Sequence, residues 1–169
     1  MWYMEYMNSP RIRPSKILIL TTLLLCLIIS CSNSQILICT RVVDGDTIII
    51  TNGERVRLIG VDTPETKHPR KPVEYYGKEA TAFTNRMVSG KVVKLKYDQQ
   101  RRDKYGRLLA YVYLMDGTFL NAEKIKQGYG YAYTKFPFKY LEEFRQYEKE
   151  AREAKRGLWA DKPKQGGLK

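Results

Sequence analysis

Residues 40–62 read TRVVDGDTIIITNGERVRLIGVD. Within this stretch two runs rich in Val, Ile and Thr, at 40–51 and 54–62, are separated by Asn52-Gly53. An Asn-Gly pair between two β-forming runs is the strongest short signal for a hairpin. The domain is therefore predicted to begin with a β-hairpin.

Two further strands and three helices are predicted downstream. Val93, Leu95 and Tyr97 alternate with lysines, as in a half-buried strand, whereas residues 108–115 are apolar on both faces and are predicted to form a central strand before a turn at 116–117. A short helix is predicted over 121–127. The apolar faces of the other two helices consist of Tyr76, Ala80, Phe83 and Met87, and of Tyr140, Phe144, Tyr147, Ala151 and Ala154.

This element order indicates an α+β fold that is mainly β. About five strands, with a helix inserted between the third and the fourth, are compatible with a small closed Greek-key barrel, the architecture that binds oligonucleotides across one face. Periodicity alone leaves the topology open.

The N-terminus has the layout of an export signal. Basic residues precede an uncharged apolar run at 17–30, which as a helix would be about 21 Å long, shorter than the roughly 30 Å hydrocarbon core of a membrane. Residues 28–31 (IISC) resemble a bacterial lipobox, so Cys31 is predicted to carry lipid and to become the first mature residue. An uncleaved signal anchor and plain secretion are the alternatives, and each places the protein outside the cytoplasm.

The chain of 169 residues, 43% of them hydrophobic, is predicted to contain one packed domain. The predicted parts are an export signal at 1–30, a short linker at 31–39, the domain at 40–161 and a flexible tail at 162–169. Of the three cysteines, Cys26 lies in the signal and Cys31 is the lipid site, so no disulfide framework is implied. Cys39 is predicted to be a buried small apolar residue, although it could pair with an unlipidated Cys31.

The formal charge is +12 and the pI is about 9.6, which would attract phosphate-rich polymers or anionic lipid headgroups. Charge alone does not choose between these partners. Only Arg11, Arg13 and Lys16 of the basic residues lie within residues 1–30, so the basic character belongs to the domain.

Acids stand at the start of the predicted hairpin. Asp44 and Asp46 are in phase with Ile48, so their carboxylates are expected on the face that becomes apolar farther along. A turn at Asp44-Gly45-Asp46 is the plainer interpretation, because Asp and Gly are common turn formers.

Arginines and more acids occupy the second predicted strand. Arg55 and Arg57 are in phase with Ile59, and the strand ends in residues 62–65 (DTPE). A helix or turn start capped by Thr63 is the alternative interpretation. The acids of both strands would repel one another unless a cation or a substrate compensated them, and we interpret the cluster as a functional site.

Oxygen ligands suit a hard cation, calcium before magnesium, and a single histidine argues against zinc. Phosphodiester hydrolysis needs a base for water, a cation near the phosphate and donors for the phosphoryl oxygens. The only histidine, His68, lies in a charged, proline-rich loop that is poorly suited to catalysis. A carboxylate such as Glu65 is therefore the plausible base.

A second basic cluster spans residues 101–107 (RRDKYGR). A solvated loop is the alternative, but Arg57 and Arg107 could together clamp one phosphodiester, because arginine binds phosphate oxygens bidentately. Most of the 13 tyrosines are expected to pack in the interior. Those that could stack on bases are Tyr105, Tyr129, Tyr131 and Tyr133.

Three motifs together resemble the signatures of staphylococcal-nuclease-like domains. They are residues 43–47 (VDGDT), 57–66 (RLIGVDTPET) and 103–107 (DKYGR). The resemblance runs from about Thr40 to Asp161 and implies a five-stranded OB-type barrel with three helices. It also implies one calcium ion, held by Asp46, Asp62 and the backbone carbonyl of Thr63.

The same resemblance implies the catalytic roles. Glu65 would activate the attacking water, while Arg57 and Arg107 would bind the phosphate and stabilise its transition state. The positions that match substrate contacts are Lys104, Tyr105 and Tyr133. The implied activity is hydrolysis of DNA and RNA to products with 3′-phosphate ends.

One departure from the family pattern is the shorter stretch at 129–134 (YGYAYT), which makes the alignment of Tyr133 ambiguous. A non-catalytic binding module of the same fold is the main alternative, and a surface protein that holds lipid or DNA without cutting it is a third. We expect a monomer without an obligate protein partner, attached to a membrane through Cys31.

Overall fold

The computed structural model describes residues 35–66 and 72–160. The strands are β1 (Gln35–Val42), β2 (Thr47–Ile50), β3 (Arg55–Leu58), β4 (Val61–Asp62), β5 (Val92–Lys96), β6 (Leu108–Leu114) and β7 (Tyr131–Ala132). The helices are α1 (Gly77–Val88), α2 (Leu120–Lys126) and α3 (Leu141–Glu153), followed by a 3-10 turn at Gly157–Trp159.

Five of the strands close into a barrel in the order β1-β2-β3-β6-β5, and β5 pairs back with β1. The β3–β6 pair is parallel, and the other barrel pairs are antiparallel. In the chain, α1 falls between the third and fourth barrel strands. The predicted mainly β, five-stranded OB-type barrel with three helices is confirmed.

The barrel interior is built from alternate residues of each strand, as a pleated sheet requires. The inward side chains include Ile48, Ile50, Val56, Leu58, Val93 and Leu95. Strand β6 pairs with both β3 and β5, so the prediction of a central strand at 108–115 is confirmed apart from Met115, which is exposed just beyond the strand. The helices predicted from Phe83, Asn121 and Phe144 are present as α1, α2 and α3.

The prediction of one strand over 40–51 is wrong. A turn at 43–46 divides it into the end of β1 and all of β2, and these pair with each other. The turn forms because the Val43 N–H donates to the Thr47 carbonyl at 2.9 Å, while the Asp44 carboxylate accepts the Asp46 N–H at 3.1 Å. Strand β1 begins at Gln35, so residues 35–39, which were predicted to belong to a linker at 31–39, are part of the barrel.

The predicted strand at 54–62 is also interrupted. Gly60 has a φ of 73°, which ends β3 before β4 begins. A Cβ at this glycine would lie 2.6 Å from the Phe138 ring, so the chain turns in a space that only glycine fits. As a result Leu58, Ile59 and Val61 are all buried, and the predicted period that put Arg57 and Ile59 on one face is not maintained beyond Leu58.

Several predictions fall outside the described residues: the export signal at 1–30, the lipid site Cys31, His68 and the tail at 162–169. Within the described ranges, no helix combines the length and the apolar composition that crossing a membrane requires.

Candidate active site

One arginine and two aspartates form the centre of the site. The Nη2 atom of Arg57 lies 3.2 Å from Oδ2 of Asp46 and 3.0 Å from Oδ1 of Asp62. Its Nη1 atom donates to the backbone carbonyls of Leu58 and Val61. The guanidinium is therefore held by the end of β3 and by β4, and it brings two acids together that are 16 positions apart in the chain.

The turn at 43–46 packs closely against Thr63. Oδ2 of Asp46 accepts the Thr63 N–H at 3.1 Å and the Thr63 hydroxyl at 3.0 Å. A Cβ at Gly45 would lie 2.7 Å from Oγ1 of Thr63, so glycine is required for this approach. The segment Asp44-Gly45-Asp46 is thus a turn, as the plainer interpretation held, and it also contributes an acid to the site.

Burial opposes the ionisation of Asp44 and Asp62. Burial, with a smaller contribution from the Asp46 charge, raises the pKa of Asp44 to about 6. Burial also raises the pKa of Asp62, even though the Arg57 charge opposes the shift. A cation bound here would favour the charged carboxylates.

Glu65 lies at the solvent-exposed edge of the cluster, after Pro64. Its backbone N–H donates to a carboxylate oxygen of Glu74 at 3.0 Å, and the Glu74 N–H donates to the Glu65 carbonyl at 2.9 Å. The two bonds fix the backbone of Glu65 across the base of a loop. Sequence reasoning missed Glu74, because nothing local to an acid in a loop indicates such a partner.

Arg107 lies in a separate loop that joins β5 to β6. Its Nε donates to Oδ2 of Asp103 at 2.7 Å, and its N–H donates to Oδ1 of the same side chain at 3.0 Å. The Asp103 carboxylate also accepts the Tyr105 N–H at 2.9 Å. Among the described residues, no hydrogen bond or ion pair joins Arg107 to the carboxylates around Arg57.

The structure separates the tyrosines that could stack on bases. Tyr105 is 71% exposed beside Lys104, whose Nζ lies 5.0 Å from the ring centroid. Tyr129 instead stacks on Phe83 at 4.3 Å and is part of the packing. Tyr131 pairs with Asp62 across β4 and β7, and the Tyr133 N–H donates to the Gly60 carbonyl at 2.9 Å.

Sequence reasoning also missed a buried lysine behind the site. Lys124 of α2 is fully buried, and its Nζ donates to Oγ1 of Thr84 at 2.8 Å and to the Ala80 carbonyl at 3.0 Å. Oγ1 of Thr84 in turn lies 2.7 Å from the Gly45 carbonyl. Two helices thus support the turn that carries Asp46. Lys124 is one of three charged residues in this short helix, and its residue type gave no sign of burial.

In the described part of the chain, no group of three or more His, Cys, Asp or Glu side chains is placed to hold a metal ion. The donors that do meet are the carboxylates of Asp46 and Asp62, at one guanidinium nitrogen. Two carboxylates completed by a backbone carbonyl and water fit a hard cation such as calcium by donor chemistry, and do not fit zinc.

Comparison with known proteins shows that the sequence is similar to those of nucleases. A family model described as staphylococcal nuclease homologue matches residues 55–161. The thermonuclease of Staphylococcus hyicus is 43% identical over 137 residues, covering 79% of this chain and 80% of the relative. The thermonuclease of Staphylococcus intermedius is 48% identical over 123 residues, covering 70% and 73%. Endonuclease YncB of Bacillus subtilis is 44% identical over 126 residues, covering 71% and 59%.

Proposed function

Because the chain belongs to the staphylococcal nuclease family, we propose that it is a calcium-dependent nuclease that cuts both DNA and RNA and leaves 3′-phosphate ends. The observation that carries the proposal is the shared ion pair of Arg57 with Asp46 and Asp62. This ion pair brings one guanidinium and two carboxylates together, and Glu65 follows Asp62 by three positions, which supports the roles proposed for these residues.

Glu65 is the proposed general base. Its side chain is exposed, as a group that must reach a substrate-bound water has to be, while its backbone is fixed by Glu74. A carboxylate in hydrogen-bond reach of water can take the proton as the oxygen attacks phosphorus.

Arg57 and Arg107 are the proposed hydrogen-bond donors to the phosphate of the substrate. A phosphate oxygen that binds Nη2 of Arg57 replaces one of its carboxylate partners, so the guanidinium exchanges one anion for another. Arg107 keeps its Nε on Asp103, and among the described residues its Nη1 and Nη2 atoms form no hydrogen bond or ion pair. Two planar donors on the phosphoryl group stabilise the charge that develops in the transition state.

Asp46, Asp62 and the carbonyl of Thr63 are the proposed calcium ligands. When bound, the cation polarises the phosphoryl oxygen and offsets charge near the attacked phosphorus. Lys104 and Tyr105 are proposed to contact the substrate, as is Tyr133, whose ring centroid lies 6.1 Å from that of Phe136 and 5.7 Å from Nζ of Lys135.

Export and anchoring are a further part of the proposal. The apolar run at 17–30 and the lipobox-like residues 28–31 support a lipid-anchored monomer outside the cytoplasm. Labelling cells with a radioactive fatty acid should mark the wild-type protein and not a Cys31→Ser variant. Equal labelling of both proteins would exclude lipid at Cys31.

Digestion of single-stranded DNA tests the enzymatic proposal. Purified protein should cleave with calcium and not with excess chelator, and the new 3′ ends should carry phosphate. Glu65→Gln should retain the fold and lose activity by about 100-fold or more, since it removes the base and keeps the volume. Glu143→Gln on α3, an exposed position, is the matched control.

The outcome also separates the alternatives. Binding of DNA without cleavage under both conditions would favour a non-catalytic module of the same fold. Binding that salt abolishes and calcium leaves unchanged would favour a surface protein that holds anionic polymers. Full activity of Glu65→Gln would remove Glu65 as the base.

A further inference from the structure

Two exposed arginines lie on the outer face of the barrel near the site and have no role in the proposed reaction. They are Arg41 at the end of β1 and Arg55 at the start of β3. Within the described ranges, neither guanidinium forms an ion pair or a hydrogen bond. The nearby Arg102 is neutralised, since it binds both carboxylate oxygens of Glu54, at 2.8 and 2.9 Å.

Strand register places these arginines in one row. Arg41 pairs with Ile49, and Ile49 pairs with Arg55 on its other side. The parallel ladder pairs Val56 with Leu108, so the residue before Val56 lies beside Arg107. Because Val56 points into the core, Arg55 points outward, as does Arg57 two residues on. We name Arg41, Arg55 and Arg107 the arginine row.

A shallow pocket connects the row to the proposed phosphate clamp. It has a volume of about 340 Å³ and is lined by Arg55, Arg107 and Tyr105, together with the β2–β3 turn. Tyr105 is 71% exposed, and an exposed aromatic side chain can stack on a base. The pocket therefore offers two guanidinium groups and an aromatic ring, the chemistry that binds a nucleotide.

We propose that Arg41 and Arg55 bind phosphates next to the cleaved bond, so that a single-stranded nucleic acid crosses β3, β2 and β1 from the active site. Three strand steps of roughly 4.8 Å give the row a length of about 14 Å, several times the roughly 3.4 Å axial rise per phosphate in one strand of a duplex. The row thus has room for more than one phosphate. The inference rests on the proposed nuclease function and adds a substrate path to it.

The test compares substrate lengths. In Arg41→Gln/Arg55→Gln, kcat/KM on a 12-nucleotide single strand should fall about 10-fold, and the loss should be several-fold greater than on a substrate with one cleavable phosphodiester. The slope of log Kd against log salt should decrease by about 1.4, because each lost phosphate contact removes about 0.7. The control, Arg145→Gln/Lys149→Gln, removes the same charge from exposed positions on α3.

Two results would overturn the proposed role of the arginine row. One is an equal loss in the row variant and the α3 control, which would mean that only overall charge matters. The other is an equal loss on long and minimal substrates, which would place the arginines in the chemistry or the fold. If wild-type protein cleaves neither substrate, the nuclease proposal fails by itself. In that case the arginine row is tested by fluorescence anisotropy of a labelled 12-nucleotide strand in the presence of chelator. If the Arg41/Arg55 variant binds the strand as tightly as the α3 control does, the proposed role of the row is refuted.

Discussion

Asp103 determines the position of Arg107. Its two carboxylate oxygens accept one side-chain and two backbone N–H groups, from Arg107 and Tyr105. Although burial opposes them, these bonds hold the pKa of Asp103 below its usual value. The Asp103 side chain therefore sets both the conformation of the loop and the orientation of the Arg107 guanidinium, which is proposed to bind phosphate.

Asp103→Asn should lower kcat/KM on single-stranded DNA by about 10-fold or more. The amide cannot accept from both Nε and the backbone as a carboxylate does, and small misplacement of a donor is costly in a reaction that depends on position. Asp116→Asn is the matched control, because Asp116 accepts only a turn N–H, from Thr118 at 2.9 Å, in another loop. Equal kinetics of the two variants would refute a positioning role for Asp103.

At the scale of elements, α2 is fixed to its neighbours at both ends. Near its start, the buried Asn121 donates to the carbonyls of Ile59 and Ala110 and accepts the Val112 N–H, at 2.9, 3.2 and 2.9 Å. After its end, Gly128 takes a φ of 72° and its carbonyl accepts the Leu158 N–H at 2.8 Å. The helix therefore links the barrel to the C-terminal turn.

Gly128→Ala should destabilise the protein far more than Gly117→Ala. Both glycines have positive φ, so alanine costs about 1–2 kcal/mol of backbone strain at either position. A Cβ at Gly128 would also lie 2.2 Å from the Arg156 carbonyl oxygen, whereas none of the described atoms lies within 4 Å of a Cβ at Gly117. In urea unfolding, the free energy of unfolding should fall by an amount within that range for the Gly117 control and by roughly 3 kcal/mol or more for the Gly128 variant. Similar unfolding midpoints for the two variants would contradict the predicted clash between a Cβ at position 128 and the Arg156 carbonyl.

For the whole molecule, Lys124 couples folding to pH. Burial lowers the pKa of Lys124 to about 7, although the charges of Asp46 and Asp44 oppose the shift. An unfolded lysine has a pKa near 10.4, so between pH 7 and 10 the unfolded state binds more protons than the folded state. Stability therefore increases with pH across this window, and the cost of burying the charge is greatest below pH 7.

Comparison with Lys124→Met isolates this effect. The free energy of unfolding of wild type should rise relative to the variant by about 1 kcal/mol per pH unit between pH 7 and 9, at most 1.36. Chelator should be present so that calcium does not contribute. Tyrosines such as Tyr111, whose pKa is raised by burial, affect only higher pH. A difference that stays constant with pH would show that Lys124 keeps its proton when buried.

Local patterns in the sequence predicted the central strand and the three helices, but not β4, β7 or the contacts that Glu74 and Lys124 make near the candidate site. Asn52-Gly53 specifies a turn because few residues accept its φ values, and the run at 108–115 specifies a central strand because both faces are apolar. The motifs around Asp46, Asp62 and Arg107 identified the family, since residue types at fixed spacing are visible in the chain itself. Local patterns were misleading at 40–51, where an apolar stretch concealed a turn.

Only the tertiary structure decided how these parts meet. Closure of the barrel by β1 and β5, and the parallel β3–β6 pair, join segments far apart in the chain. The shared ion pair of Arg57, the burial of Lys124 and the arginine row likewise depend on which strands and helices become neighbours. Pairing of this kind is determined by the combined packing of all elements in one core, and no local window of sequence contains that information.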